Sequence, residues 1–429
     1  MQGISGETKT KRTSLWGGEI SPLRNSSFAR IFWAGVASQS GSSVTNVVVV
    51  FLAYSVTHSG FAVALIAISQ TIAGVVFSVP MGTFVDRHDR KSLMVLSDVV
   101  RGGSVGFLGV FQLLAGFNLA VIIFISFIVA AVGLIFYPAE RALIPNLIRR
   151  ESVPDANGLI YSSRNFTFAG SAAGGALIAI FGASQSLFYN VATFLFSASL
   201  LFAIKSAKFG LTGEASSTPG MLTEAKEGFK WLLSHAGLFQ LTMSAMFLNF
   251  FFTIFSTFLV VYSSAALGGG SLVFGLLLGA LVGGQGVGSL LVGRPGALRH
   301  AGKVWIAGYG FGVGLLVVSL VLFPTAVLAV PLSFIMGILG GFVEITWLTT
   351  AQLVVPSELQ GRYFGVDALG SIAIIPLSQL VGGLLVDSQG VLFTYAIVAA
   401  GLLITGLLFL LPKGLRNLHV EPAAQAASR

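Results

Sequence analysis

The sequence contains no cysteine, and only 9% of its 429 residues are charged. The absence of cysteine excludes disulfide bonds and metal sites built on thiolates. Soluble domains carry roughly 25% charged residues, so this chain has too few charges to cover a surface exposed to water. Hydrophobic residues make up 55% of the chain, and its 53 glycines lie mostly within apolar stretches. Glycine is enriched in membrane helices, so the composition predicts a helical membrane protein.

Sites for catalysis, nucleotides and nucleic acid are also missing from the sequence. No P-loop motif occurs, so we do not expect ATP hydrolysis. The basic residues give a net charge of +8 but form no stripe with interleaved aromatics, so no nucleic-acid partner is expected. A membrane enzyme would be expected to collect histidines and acids at one face, whereas the five histidines lie apart (His58, His88, His235, His300 and His419). We therefore expect no enzymatic activity, no cofactor and no metal site.

Apolar stretches of about 20 residues, the length that crosses a bilayer core, occur twelve times between short polar or Gly/Pro breaks. Predicted spans 1 to 6 cover 28–56, 60–85, 92–115, 118–144, 153–181 and 185–205. Predicted spans 7 to 12 cover 236–263, 271–293, 303–323, 325–355, 363–387 and 390–411. The predicted fold class is therefore an all-α membrane protein with twelve transmembrane helices in two pseudo-symmetric six-helix bundles.

The distribution of lysine and arginine predicts how these spans are oriented. All but two of the 24 basic residues lie in the termini, in the central linker, in every second connection between spans or at the span ends that border these segments. The remaining two, Arg101 and Arg164, lie within spans, and the alternate connections contain none. Basic residues collect on the cytoplasmic side of membrane proteins. We therefore expect both termini to be cytoplasmic in a multi-pass protein of the cell inner membrane.

Five segments follow from this division of the chain. Residues 1–27 form a cytoplasmic N-terminal segment without the apolar region of a signal peptide. An N-terminal six-helix bundle (28–205) and a C-terminal six-helix bundle (236–411) flank a cytoplasmic linker at 206–234. The linker is predicted to include an amphipathic helix at the membrane surface. Residues 412–429 form a cytoplasmic tail.

The connection after span 2 combines a glycine, an acid and several bases: Gly82, Asp86, Arg87, Arg90 and Lys91. This arrangement resembles the signature loop of the major facilitator superfamily. A short charged turn of this kind can bridge neighbouring helix ends and release them when the helices move. We expect Glu140 and Arg141 at the end of span 4, and Asp367 in span 11, to form gate bridges with this loop.

Four further motifs occur along the chain: Ser97-Asp98-Val-Val-Arg101, Tyr137-Pro-Ala-Glu-Arg141, Glu227-Gly-Phe-Lys-Trp-Leu232 and Val355-Pro-Ser-Glu-Leu-Gln-Gly-Arg362. These motifs resemble one branch of the superfamily, the drug/proton antiporters that include macrolide-efflux proteins and siderophore exporters. Exporters of the superfamily tend to have Gly-Pro-x-x-Gly-Gly in span 5, whereas this chain has Ser171 in place of the proline. The resemblance implies proton-coupled efflux of amphiphilic small molecules by a monomer in the lipid bilayer. Nutrient uptake, facilitated diffusion and a non-transporting receptor are the alternatives.

Glycine pairs in spans 5 and 11 indicate an internal repeat. Gly174-Gly175 follows Glu151, and Gly382-Gly383 follows Glu358, at similar distances. Small residues allow helices to approach closely, so these four glycines and Gly170 are predicted packing positions. Two such halves are expected to rock against each other around a central site.

Charges within spans are costly and are therefore functional candidates. Asp98 and Arg101 lie three residues apart in span 3 and can pair, either as a structural pair or as a substrate contact. Arg164 in span 5 has no acid nearby in the sequence, so it pairs with another helix or binds an anion. Glu344 lies roughly 18 Å from the cytoplasmic end of span 10 and has no basic residue within two turns. It is the first candidate for proton coupling, ahead of Asp98, and the alternative is a protonated structural glutamate.

Polar residues at mid-depth must face protein or water. Gln39 and Asn46 in span 1, and Asn249 and Thr253 in the corresponding span 7, are therefore predicted to line a cavity. Trp347, one turn after Glu344, is a further cavity candidate.

Overall fold

The computed structural model describes residues 22–144, 147–148, 152–164, 167–204, 229–230, 232–291 and 305–410. All regular elements in these residues are helices, which form twelve spans in the predicted order. Nine helical stretches in the described part are long and apolar enough to cross a membrane. The prediction of an all-α membrane protein is therefore confirmed. The predicted amphipathic helix of the linker and the C-terminal tail lie largely outside the described residues.

Eight spans are single helices. They are span 1 (Ser26–Thr57), span 2 (Gly60–Arg87), span 3 (Arg90–Ala115), span 6 (Ala183–Phe202), span 8 (Gly270–Leu291), span 10 (Ala326–Val354), span 11 (Ser357–Gln389) and span 12 (Val391–Leu410). The other four spans are described as consecutive helical segments, and residues 165–166, between the two segments of span 5, lie outside the described residues. They are span 4 (Leu119–Gly133 and Phe136–Leu143), span 5 (Val153–Arg164 and Thr167–Phe181), span 7 (Ala236–Thr257, Leu259–Val261 and the π-helix Tyr262–Ala266) and span 9 (the π-helix Ile306–Val313 and Gly314–Leu322).

Local sequence explains where several helices begin and end. The Asn25 side chain accepts hydrogen bonds from the backbone N–H groups of Ser27 (2.9 Å) and Phe28 (3.1 Å), which caps span 1. Gly182, between spans 5 and 6, has a φ of 86°, a conformation that glycine adopts without strain. Span 4 is interrupted one turn before Pro138, because proline has no N–H to donate back along the helix.

The ends of the spans define two faces of the molecule. On the face that we call terminal, where Ser26 begins span 1, Arg30 donates to the Ala203 carbonyl after span 6 (2.7 Å). The side chain of Asn25 donates to the Leu147 carbonyl after span 4 on the same face (2.7 Å). The opposite face, which we call distal, carries the connections between spans 1 and 2 and between spans 11 and 12.

Each half packs around its own central helices, and the halves meet mainly through two pairs of spans. Span 1 packs against spans 5 and 6 in the N-terminal half, and span 7 packs against spans 11 and 12 in the C-terminal half. Span 2 contacts span 11 across the interface, and span 5 contacts span 8. These corresponding contacts agree with a chain built from two related halves.

The two glycine pairs occupy equivalent positions in this arrangement. A Cβ atom on Gly174 would lie 3.2 Å from Val44 Cα of span 1, within the same half. One on Gly175 would lie 2.9 Å from Gly275 Cα of span 8, in the other half. Gly382 likewise faces span 7 of its own half, whereas Gly383 faces the backbone of span 2 across the interface. Gly170 lies against the backbone of Ser40 in span 1. In both pairs, therefore, the first glycine packs a half and the second joins the halves.

Candidate functional site

The N-terminal half contains a buried ion pair on span 3. Asp98 is fully buried, and its carboxylate accepts hydrogen bonds from Ser38 Oγ (3.1 Å) and from Ser197 Oγ. Arg101, one turn further along, donates to the same carboxylate at 2.5 Å. The Arg101 guanidinium also lies 4.5 Å from the centre of the Phe194 ring, a distance that allows a cation–π interaction. Both charges are therefore neutralised and held in place by residues of spans 1 and 6.

The C-terminal half contains a cavity of about 220 Å³, which we call the C-cavity. Residues from each of spans 7 to 11 line it. Two carboxylates line it, Glu344 from span 10 and Asp367 from span 11. The other lining residues are amides, aromatics and small side chains: Ala245, Asn249, Phe252, Gln285, Trp305, Tyr309, Gly340, Val343 and Trp347. None of the described residues around the C-cavity is a lysine, arginine or histidine. The C-cavity is therefore acidic.

Glu344 presents an exposed side chain to the C-cavity. Gly340 lines the same cavity one turn away, and its missing side chain leaves space beside the carboxylate. Glu344 forms no salt bridge with the described residues, whereas Asp98 is bridged to Arg101. Glu344 thus differs from Asp98 in two properties. Its side chain is exposed whereas that of Asp98 is buried, and it has no ion-pair partner among the described residues.

Aromatic side chains form one wall of the C-cavity. The rings of Phe252 and Tyr309 lie 5.5 Å apart, and those of Tyr309 and Trp305 lie 5.8 Å apart. Trp305 Nε1 donates to Ser244 Oγ at 3.0 Å, which fixes the orientation of the indole. Neither Trp305 nor Tyr309 was predicted from the sequence, because span 9 contains no polar cluster that would mark it as lining a cavity.

Polar residues of span 1 line two cavities of about 300 Å³ in the N-terminal half. Asn46 is exposed to the first of them and accepts a hydrogen bond from Gln70 Nε2 at 3.4 Å. Gln39 lines both cavities, and the second is bounded by Glu140 near the terminal face. Thr253 of span 7 is only half-buried, and it is not among the described residues that line the C-cavity.

The bases of the signature loop bind backbone carbonyls of their own half. Arg90 donates to the Ala142 carbonyl at 3.0 Å, and Lys91 donates to the Phe202 carbonyl at 3.0 Å. Arg141 lies over the Tyr137 ring, 4.7 Å from its centre. These contacts connect the loop to spans 4 and 6. The side chains of Asp86 and Arg164, and the surroundings of Gly82, fall outside the described structure, while the Arg87 side chain is exposed.

The depth of Asp367 differs from the sequence prediction, because span 11 begins earlier than expected. We expected it beside the signature loop, one to two turns inside a span that begins at residue 363. Span 11 instead begins at Ser357, six residues earlier, so Asp367 lies about 15 Å along the helix. At that depth its side chain lines the C-cavity together with Glu344. In this conformation Asp367 therefore belongs with the cavity residues.

Asp387, which was not selected from the sequence, joins the two halves at the distal face. Its carboxylate accepts hydrogen bonds from Ser59 Oγ (2.7 Å) and from the backbone N–H groups of Gly60 and Phe61 (3.1 Å for Phe61). These groups form the N-terminus of span 2, where unpaired N–H groups and the helix dipole favour an anion. The sequence does not show what an acid at the end of span 11 contacts, because its partner is the N-terminus of span 2 in the other half.

Comparison with known proteins shows that this chain is similar to a family of transporters. A family profile described as transmembrane secretion effector, of the major facilitator superfamily, matches residues 17–427. The multidrug efflux pump Tap of Mycobacterium tuberculosis is 24% identical over 407 residues, which cover 92% of this chain and 95% of Tap. Tap of Mycolicibacterium fortuitum is 24% identical over 405 residues, which cover 91% of this chain and 96% of that protein.

A solved structure supports the fold independently. The crystal structure of a bacterial homologue of the iron transporter ferroportin, in an inward-facing state, aligns with a TM-score of 0.70 at 14% identity. The alignment covers 91% of this chain and 98% of the homologue. At this identity the structural alignment shows the fold alone and says nothing of the substrate.

Proposed function

Because this chain belongs to the transmembrane secretion effector family of major facilitator transporters, we propose that it is a proton-coupled exporter of amphiphilic small molecules. The observation that carries this proposal is the accessible carboxylate of Glu344 in a cavity whose described lining contains no basic residue. The relationship to multidrug efflux pumps supports export rather than uptake. Since one chain contains both halves of the fold, the proposed transporter works as a monomer.

Coupling requires an acid that takes up a proton on one side of the membrane and releases it on the other. Glu344 meets the geometric requirement, because the C-cavity gives it access to water and no described cation fixes its charge. Asp98 is less suited to this role. Its carboxylate already accepts hydrogen bonds from Arg101, Ser38 and Ser197, and it is buried away from water. We therefore assign proton transfer to Glu344 and a structural role to the Asp98–Arg101 pair.

Alternating access requires the halves to separate at one face while they close at the other. The hydrogen bonds of Asp387 and the approach of Gly175 to Gly275 join the halves towards the distal face. The signature loop, with Asp86, Arg87, Arg90 and Lys91, is the proposed gate of the terminal face. Glu140 and Arg141 lie on the helix that Arg90 contacts and are proposed to take part in this gate.

Orientation is tested by labelling single cysteines with a reagent that does not cross membranes. The positive-inside rule places the terminal face in the cytoplasm, and the chain has no native cysteine to interfere. Cysteines at Ser184 and Ser388, near the distal face, should react from outside intact cells, whereas one at Ser357 should not. Reaction at position 357 from outside would invert the proposed orientation.

Coupling and direction are tested with purified protein in sealed vesicles under an imposed pH gradient. A panel of amphiphilic compounds is screened while substrate and internal pH are recorded together. Proton-coupled export predicts that substrate accumulates against its gradient while protons move in the opposite direction. Facilitated diffusion predicts movement only down the substrate gradient with no change in internal pH. Nutrient uptake by proton symport predicts that substrate and protons move in the same direction.

A further inference from the structure

We propose that the C-cavity binds the positively charged group of an organic cation, so that the substrates of this transporter carry a protonated or quaternary amine. The inference rests on the proposed transport function and adds the charge of the substrate. It is based on two carboxylates, a wall of aromatic rings and two amides that surround one small cavity.

The charge of the cavity selects against anions. Glu344 and Asp367 reach the C-cavity from two different helices, and its described lining contains no basic side chain to balance them. An anionic ligand would meet repulsion from both carboxylates. A neutral ligand would remove water from the carboxylates and leave their charge unpaired, which is also unfavourable. A cation restores the balance, so it is the ligand that the charge distribution favours.

The aromatic wall is suited to the same kind of ligand. A cation within about 6 Å of the face of a tryptophan, tyrosine or phenylalanine ring is attracted to it, and cages of such rings recognise quaternary amines. Trp305 is held by its hydrogen bond to Ser244, and Tyr309 is packed between Trp305 and Phe252. This part of the wall is therefore ordered before a ligand arrives. Asn249 and Gln285 add amide oxygens that can accept hydrogen bonds from a protonated amine.

The size of the cavity limits how much of a ligand it holds. Sites for drug-sized molecules usually measure about 300–1,000 Å³, whereas the C-cavity measures about 220 Å³. It is therefore matched to a charged head group and an adjoining ring, and a larger apolar body would extend out of it. In the N-terminal half, the charge of Arg101 is already balanced by Asp98, so the cavity beside it offers no comparable site.

The experiment compares two water-soluble probes of similar shape and opposite charge, benzyltrimethylammonium and phenylmethanesulfonate. Binding is measured by saturation-transfer NMR on the full-length protein in micelles, without a gradient. The cation should bind and the anion should not. Glu344→Gln and Asp367→Asn should each weaken cation binding by at least about tenfold. Trp305→Leu should weaken it by about 2- to 30-fold, the range expected for loss of a cation–π contact.

Asp155→Asn is the matched control, because it removes an acid in the first turn of the helix Val153–Arg164 that is not among the described residues lining the C-cavity. It should leave the dissociation constant unchanged. Unfolding temperatures of all variants show whether a loss of binding reflects a loss of fold, and Asp367→Asn provides a second reading if Glu344→Gln is unstable. Equal binding of both probes, or cation binding that is unchanged in both folded acid variants, would overturn the proposal.

Failure of this inference can be distinguished from failure of the proposed function. Transport of only neutral or anionic compounds under a pH gradient would refute the cation site and leave proton-coupled export standing. Selective cation binding by a protein that transports no compound under any gradient would leave the site standing and refute the transport mechanism.

Discussion

The two halves of this transporter share a backbone plan but treat their intramembrane charges differently. In the N-terminal half, Asp98 is fully buried and bound to Arg101 and to two serines. In the C-terminal half, Glu344 and Asp367 line a cavity, and neither has an ion-pair partner within the described structure. Charges in a bilayer persist because they stabilise the fold or because they perform a function. The proposed mechanism therefore gives the Asp98–Arg101 pair a role in stability and the two C-terminal acids a role in transport.

The packing glycines do not show this difference. Gly174 and Gly382 pack their own halves, whereas Gly175 and Gly383 meet the other half. Corresponding positions therefore keep the same mechanical role while the polar residues diverge. Such an arrangement suits a carrier in which both halves move alike but only one binds the coupling ion.

The largest expected effect comes from breaking the N-terminal ion pair. Asp98→Asn would leave the Arg101 guanidinium buried without a counter-charge, which typically costs about 3–5 kcal/mol. Glu344→Gln should change the free energy of unfolding by much less, because the Glu344 side chain is exposed to the C-cavity. Denaturant unfolding of the purified protein in micelles measures both.

The double variant Asp98→Asn/Arg101→Met tests whether the cost arises from the unpaired charge. It should recover most of the stability lost in Asp98→Asn, because it removes the buried cation as well. If Asp98→Asn is as stable as the wild-type protein, the structural role of the pair is wrong and the contrast between the halves disappears.

An intermediate effect is expected where the halves touch. A methyl group on Gly175 would lie 2.9 Å from Gly275 Cα across the interface, and overpacking of this kind costs about 1–3 kcal/mol. Gly175→Ala should therefore shift the protein towards a conformation open at the distal face. Distances between spin labels at Ser55 and Phe393, on distal ends of opposite halves, report this shift.

Two other glycine variants serve as references for Gly175→Ala. Gly174→Ala should lower stability without changing the label distances, because Gly174 packs within one half. Gly103→Ala is the control, since nothing lies within 4 Å of a Cβ atom at that position. Equal distance distributions in the Gly174 and Gly175 variants would show that the two glycines do not divide their roles.

The smallest effect is expected at the distal hydrogen bonds of Asp387. Asp387→Asn removes a negative charge from the N-terminus of span 2, an interaction worth about 0.3–1 kcal/mol at an exposed site. The fraction of molecules open at the distal face should rise by a factor of about 2 to 5. Ser388→Ala is the control, because Ser388 hydrogen-bonds only to carbonyls of its own helix. A shift of equal size in both variants would remove Asp387 from the gate.

Hydropathy and basic-residue counts were sufficient to predict the spans, because a bilayer imposes a length and a composition on every crossing helix. The interruptions of the α-helix in spans 4, 7 and 9 were not predicted. The break in span 4 follows from Pro138, yet Pro80, Pro331 and Pro376 lie within continuous helices. A proline therefore does not by itself locate a break, because packing partners decide whether the helix continues.

The candidate site was predicted in part. The depth of Glu344 and its lack of a nearby base were visible in the sequence, as was the spacing that pairs Asp98 with Arg101. The position of Asp367 in the C-cavity was not predicted, because the start of span 11 was predicted six residues too late. Trp305 and Asp387 were missed because their roles depend on contacts between helices that are distant in the chain.

Transport by the Glu344→Gln variant in sealed vesicles decides whether Glu344 carries the coupled proton. Glutamine keeps the volume of the side chain and imitates the protonated acid permanently. The variant should lose accumulation driven by a pH gradient at every substrate concentration. It should still exchange substrate down a concentration gradient once the concentration is raised to offset its weaker binding, and Glu344→Asp should keep partial coupling. Uphill transport by Glu344→Gln with normal pH dependence would contradict the account and transfer the coupling role to Asp98 or Asp367.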